Sequence, residues 1–141
     1  MNNTRSWSKR AGEIARSYLA NVEELAGRRQ LSNRRRSVAM QKSRGVSKPV
    51  EAAALRIAAD RRIDQLEREV EAVEWAFSVL REIRGGEDVA AVAEMMYITR
   101  YKVSPERAAY QFGADVRTIY RYNRMFLKLV AARIGLWSPP K

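Results

Sequence analysis

The side chains that could do chemistry in this sequence are mainly cations, and they are concentrated in two stretches. The chain carries 27 lysines and arginines against 16 aspartates and glutamates, which gives a net charge of +11. Residues 28–48 contain eight of these cations and no acid, and a second group follows Asp115. This density of positive charge is typical of proteins that bind phosphates, and less often of proteins that bind an anionic membrane surface.

Several other kinds of site are excluded by the composition. The chain has no cysteine and no histidine, so it cannot form a disulfide framework, a zinc site built on those residues, or a histidine-dependent general base. Glu67, Glu71 and Glu74 share helical spacing, but we interpret them as an exposed charged surface. The sequence also lacks a glycine-rich phosphate loop after a strand, so we predict that the protein is not an enzyme and uses no cofactor or metal.

The sequence shows no membrane or export signal. No apolar run approaches the ~20 residues that a membrane-spanning helix needs, and the N-terminus lacks the apolar core of a signal peptide. We therefore expect a soluble, intracellular protein without a membrane partner.

Residues 104–130 predict two short helices joined by a tight turn. Ser104 and Pro105 are typical of a helix start, Gly113 can adopt the left-handed conformation that ends this helix, and Asp115 can cap the next one. A helix–turn–helix of this kind places its second helix in the DNA major groove, although similar corners occur in helical proteins that do not bind nucleic acid. The buried face of the second helix is indicated by apolar residues at intervals of three and four: Ile119, Tyr122, Phe126 and Val130.

The remaining segments predict helices and no strands, so we expect an all-α fold with four parts. An N-terminal helix covers residues 1–27 and ends at Gly27, and a basic linker that is extended or mobile covers residues 28–48. A long helix covers residues 49–85, and Gly85-Gly86 forms a hinge before the DNA-binding domain of residues 86–141. In that domain, a helix from about Glu87 to Tyr101 packs across the other two.

The long helix carries an apolar seam of nearly three heptads, formed by Ile63, Leu66, Val70, Val73, Phe77 and Leu80. A single seam cannot bury itself. It must pack against the N-terminal helix as an antiparallel hairpin or against the same helix of a second copy. We predict a homo-oligomer, with a dimer favoured, because symmetric DNA binders read paired half-sites.

From Asp115 onward the sequence resembles region 4 of sigma-70-type factors: a polar cap, the exposed run Val116-Arg117-Thr118, a buried Ile119, and then Tyr120-Arg121-Tyr122. The organisation of the whole chain resembles the small late-gene transcriptional regulators of temperate phages, of the RinA/ArpU type. This resemblance implies a sequence-specific double-stranded DNA-binding activator of phage late genes in the cytoplasm of a bacterial host. It also implies that host RNA polymerase is a further partner.

The resemblance implies base contacts from the second helix, at Val116, Arg117, Tyr120, Arg121 and Arg124. Arg117 and Arg121 are best suited to bidentate contact with guanine, whereas Arg124 also suits a phosphate. Phosphate contacts position a protein without specifying sequence. We expect them from the linker and from the flanks of the helix–turn–helix, at Arg34, Arg35, Arg36, Lys42, Arg44, Lys102, Thr118 and Lys128.

Two other functions fit the same features. A small terminase subunit recognises a phage packaging site and assembles as a ring through helical hairpins, so eight or more copies would favour it over the regulator. A helical protein–protein adaptor would use the seam to bind a partner, with the arginines serving only solubility. Such an adaptor would have no salt-dependent affinity for DNA.

Overall fold

The computed structural model describes residues 4–41 and 49–140, apart from the side chains of residues 4, 5 and 35–41. This part of the chain contains helices and no strands, which confirms the predicted all-α fold. A π-helical turn, Glu94–Ile98, directly follows the fourth helix. The six α-helices of the described part are α1 Thr4–Arg16, α2 Tyr18–Gln41, α3 Pro49–Glu82, α4 Gly86–Ala93, α5 Pro105–Phe112 and α6 Val116–Arg133.

The N-terminal segment differs from its prediction. The chain turns at Ser17 between α1 and α2, and α2 then continues through Gly27 as far as Gln41. The predicted helix end at Gly27 and the extended linker are therefore wrong for residues 28–41, while residues 42–48 lie outside the described part. Carboxylates reduce the repulsion within the arginine-rich run, because Arg28 pairs with Glu24 and Arg29 with Glu67. Arginine is also a good helix former.

The seam of α3 is buried within the chain. Its middle, at Leu66 and Val70, packs against Leu25 of α2, and its C-terminal part joins a larger core. α2 runs antiparallel to α3, as shown by the hydrogen bonds from Tyr18 to Glu74 and from Arg62 to Glu24. Packing within one chain therefore covers the seam from Leu66 to Leu80, and this stretch does not require a second copy.

A tight turn and a shared core lie where a hinge and a domain boundary were predicted. Gly85 has φ 78°, and Gly86 begins α4 in a buried position. A Cβ atom on Gly86 would lie 1.9 Å from the carbonyl oxygen of Leu80, so the turn requires glycine. Val89 and Val92 of α4 enter the same core as Leu80, and α3 and α4 cannot move independently without breaking that packing.

The helix α6 is central to the larger core. α1, α3, α4 and α5 all pack against it. Its Phe126 is fully buried, with its ring centre 5.0 Å from that of Phe77 and 5.6 Å from that of Tyr97. Ile119 and Val130 are buried on the same side of α6. Helices from distant parts of the sequence therefore fix the orientation of α6.

Candidate nucleic-acid interface

The turn between α5 and α6 has the predicted caps. The Ser104 hydroxyl accepts a hydrogen bond from the Arg107 amide at 3.2 Å, and the Asp115 carboxylate accepts one from the Arg117 amide at 3.1 Å. Gly113 adopts the left-handed conformation with φ 73°. These three predictions are confirmed. The small residues Ala108 and Ala109 are buried in the core on α5.

Four cations form one row along the outer side of α6, opposite its buried residues. Arg117, Arg121, Arg124 and Lys128 are separated by steps of four, three and four, which places them on the same face of a helix. The three arginines are exposed and Lys128 is half-buried. At ~1.5 Å per residue, the row is about 16 Å long. We refer to these four residues as the α6 cationic stripe.

Three members of the α6 cationic stripe lie over aromatic rings. The charged groups of Arg121, Arg124 and Lys128 lie 5.7, 5.7 and 5.3 Å from the ring centres of Tyr122, Trp7 and Trp137 respectively. Within the described part of the chain, no stripe residue forms an ion pair with a carboxylate. A ring face attracts a cation without neutralising its charge, so these three residues are held in place and the stripe remains positive.

Other arginines are neutralised and join helices to one another. Arg10 of α1 pairs with the buried Glu69 of α3 at 2.6 Å. Arg133, at the end of α6, donates to both carboxylate oxygens of Glu71.

A third such site is Glu24 of α2, which accepts hydrogen bonds from Arg62 and Arg28. These bonds, that from Arg62 contributing most, lower the pKa of Glu24 from 4.5 to about 2. Among the described residues, Arg10, Arg62 and Arg133 therefore join helices, whereas the α6 cationic stripe forms no ion pair.

Three predicted DNA contacts on α6 do not belong to the stripe. Val116 is half-buried and packs against the larger core, so it is less exposed than predicted, and its base contact stays a prediction. Thr118 is also half-buried. Tyr120 is 50% exposed but turns toward α5, where its hydroxyl donates to Glu106 at 3.1 Å. The Glu106 carboxylate raises the pKa of Tyr120 through this bond.

The predicted backbone contacts outside α6 lie in different places. Arg34 is exposed on α2, which packs chiefly against α3 and is not brought beside the stripe. The side chains of Arg35 and Arg36, and the whole of Lys42 and Arg44, lie outside the described residues. Lys102 is exposed in the segment before α5, and its ammonium group donates to the carbonyl oxygen of Arg16 at 2.7 Å.

Sequence reasoning missed a cleft of about 460 Å³ that lies beside α6. Its polar lining includes Arg16, Tyr97, Lys102, Tyr120 and Asn123. The Tyr97 hydroxyl donates to the Asn123 side-chain oxygen, and burial raises the pKa of Tyr97. No sequence signal could have located this cleft, because its walls come from segments that only the tertiary structure brings together.

Neither a protein-family model, a curated protein nor a solved structure matches this chain. The resemblance to sigma region 4 and to phage late regulators therefore stays a prediction. Among residues 4–41 and 49–140, no helix is both long enough and apolar enough to cross a membrane.

Proposed function

We propose that this protein is a sequence-specific double-stranded DNA-binding transcription regulator that places α6 in the major groove. The α6 cationic stripe is the observation that supports this most strongly. An α-helix with its side chains is about 10–12 Å wide and fits the ~12 Å major groove. Unpaired cations on the outer face of such a helix match a polyanionic partner, whereas a surface that served only solubility would not need aromatic rings to hold them.

Within this proposal the stripe divides into two halves. Arg117 and Arg121 lie in the first turns of α6, next to the tight turn, and suit bidentate contact with guanine. Arg124 and Lys128 lie over tryptophans from α1 and from the C-terminal segment. Holding them there reduces the conformational entropy that they lose on binding. This second half suits phosphates, which position the protein without specifying sequence.

The biological role follows from the resemblance together with this site. We propose that the protein activates late genes of a phage in the cytoplasm of a bacterial host, with host RNA polymerase as a further partner. A late-gene activator must recognise particular promoters, which fits a helix that presents arginines to base edges.

Selection of bound duplexes from a random DNA pool at ~0.15 M salt tests the proposed function directly. We expect an enriched motif for the wild type and loss of preference at one base pair for Arg121→Ala. The matched control is Arg81→Ala, which removes an exposed arginine at the end of α3. Binding without enrichment of a motif would show that the protein binds DNA without sequence specificity. No binding at all would favour the adaptor hypothesis.

The exposed N-terminal end of α3 favours a homodimer. Val50, Leu55 and Ile57 are 80, 69 and 53% exposed, and packing against a second copy would remove this apolar surface from water. Native mass spectrometry should give a dimer for the wild type and a larger monomer fraction for Val50→Ser combined with Ile57→Ser. Eight or more copies would instead favour the small terminase subunit.

A further inference from the structure

The cleft beside α6 is built from five segments of the chain. Arg16 ends α1, Tyr97 lies in the π-helical turn, Lys102 belongs to the segment before α5, and Tyr120 and Asn123 belong to α6. The start of α5 completes its wall through Ser104 and Pro105. Short π-helical turns are frequent at functional sites, and the proposed role of the stripe gives no function to this one.

The described residues that line the cleft include two cations and no carboxylate. Glu106, which is not among them, accepts a hydrogen bond from the lining residue Tyr120. Within the described part of the chain, neither Arg16 nor Lys102 forms an ion pair. Lys102 uses one of its three N–H donors on the carbonyl oxygen of Arg16 and keeps two. The Arg16 guanidinium lies 6.0 Å from the centre of the Tyr97 ring, a contact with the ring face that leaves its N–H groups available.

Two residues that line the cleft are sequence neighbours of stripe residues on α6. Tyr120 and Asn123 line the cleft, and each directly precedes a stripe residue, Arg121 and Arg124 respectively. A ligand in the cleft would therefore lie along the flank of α6. If α6 occupies a major groove, a DNA strand that borders the groove runs along a flank of the helix.

We propose that this cleft binds one backbone phosphate of the DNA strand that borders α6, with Arg16 and Lys102 as its donors. The inference rests on the proposed function. The proposed site adds one DNA contact from α1 and one from the segment before α5. The DNA strand is then bound by residues outside α6 as well as by α6 itself. A phosphate suits the site because it is an oxyanion that accepts several hydrogen bonds from such cations, and because the cleft has room for the adjoining sugar.

The test compares two double variants with the same loss of charge. Arg16→Gln with Lys102→Gln removes both cleft cations, whereas Lys9→Gln with Arg100→Gln removes two exposed cations that do not line the cleft. We expect the cleft variant to bind every DNA sequence about tenfold more weakly, as expected for the loss of hydrogen bonds to a charged group, with its selected motif unchanged. The slope of log affinity against log salt should become shallower by about one, since one phosphate contact is lost.

Neutral methylphosphonates, substituted for the DNA phosphates one position at a time, provide a second readout that compares the wild type with the cleft variant at each phosphate. One position should weaken wild-type binding but have no further effect on the cleft variant. If no such position exists, or if the cleft variant keeps the wild-type affinity and salt slope, the inference is overturned.

Titration with inorganic phosphate without DNA separates a free anion from the DNA backbone. If free phosphate binds at the cleft cations while DNA affinity does not depend on them, the site belongs to a small anion and the inference is overturned. Failure of the wild type to bind any DNA would overturn the proposed function, whereas failure of the cleft variants alone to differ from their control would leave the proposed function standing.

Discussion

The Arg124 guanidinium lies 5.7 Å from the centre of the Trp7 ring, so a cation on the outer face of α6 is held by a residue near the N-terminus. Trp7 is only 5% exposed, and its ring centre lies 6.2 Å from that of Trp137 in the C-terminal segment. Both ends of the chain therefore support the proposed DNA-binding face. A fragment consisting of residues 86–141 would lack the α1 part of this support and the α1 side of the core around α6.

Trp7→Ala is expected to lower the free energy of unfolding by about 3–5 kcal/mol, because it removes a large buried ring from the core. Trp7→Phe keeps an aromatic face under Arg124 and should lower the free energy of unfolding much less. Urea denaturation followed by circular dichroism measures both variants. Equal losses for the two substitutions would show that the ring is not what stabilises this region.

Arg121→Ala is expected to weaken binding to the selected DNA site by about 1–3 kcal/mol, the discrimination that one bidentate contact to a base provides. Binding to a site altered at that base pair should change little, because the contact is already absent there. Competition titrations with the two duplexes measure the difference. Arg124→Ala is the comparison: we expect it to weaken binding to both duplexes alike, since a phosphate contact carries no sequence information.

Substitution of two glycines by alanine should have opposite effects on stability. At Gly27 an added Cβ meets nothing within 4 Å inside a continuous helix, so Gly27→Ala should stabilise the protein by about 0.5–1 kcal/mol. At Gly86 the same atom would collide with the carbonyl oxygen of Leu80, and we expect a loss of about 3 kcal/mol or more. Thermal unfolding measures both. Destabilisation by Gly27→Ala would indicate that the helix ends at Gly27 after all.

The site at Glu24 predicts a loss of stability in acid. The pKa of this carboxyl is lowered from 4.5 to about 2 in the folded protein, so its ion pairs stabilise the fold above pH ~4.5, and this contribution is lost as the pH falls toward 2. The melting temperature of the wild type should exceed that of Glu24→Gln at pH 6, and the difference should disappear near pH 2. The neighbouring Glu23, exposed on the same helix, supplies the control Glu23→Gln, whose difference from the wild type should be smaller at pH 6.

The segment from Ser104 to Arg133 was predictable because its signals are local. A serine before a proline, a glycine in the left-handed conformation and an aspartate cap each act within a few residues, and the structure has all three. The seam of α3 was predictable for a similar reason, since apolar spacing alone identifies the face of a helix that is buried.

The arginine-rich run was not predictable in the same way. Considered without the rest of the chain, residues 28–41 are a run of like charges after a glycine. This pattern favours an extended chain. Glu67 of α3 supplies one of the carboxylates that make a helix possible there. That partner is far away in the sequence, so local reasoning could not include it.

The sequence by itself determined the helical class, the caps of α5 and α6, the cationic outer face of α6 and the buried face of α3, because helix signals and charge act over one or two turns. Only the tertiary structure decided that α2 continues through Gly27, that Val116 packs inward, and that Arg16 and Lys102 meet in one cleft beside Asn123. These outcomes depend on contacts between residues distant in the chain. Such contacts form when helices pack, and no local pattern specifies which helices will meet.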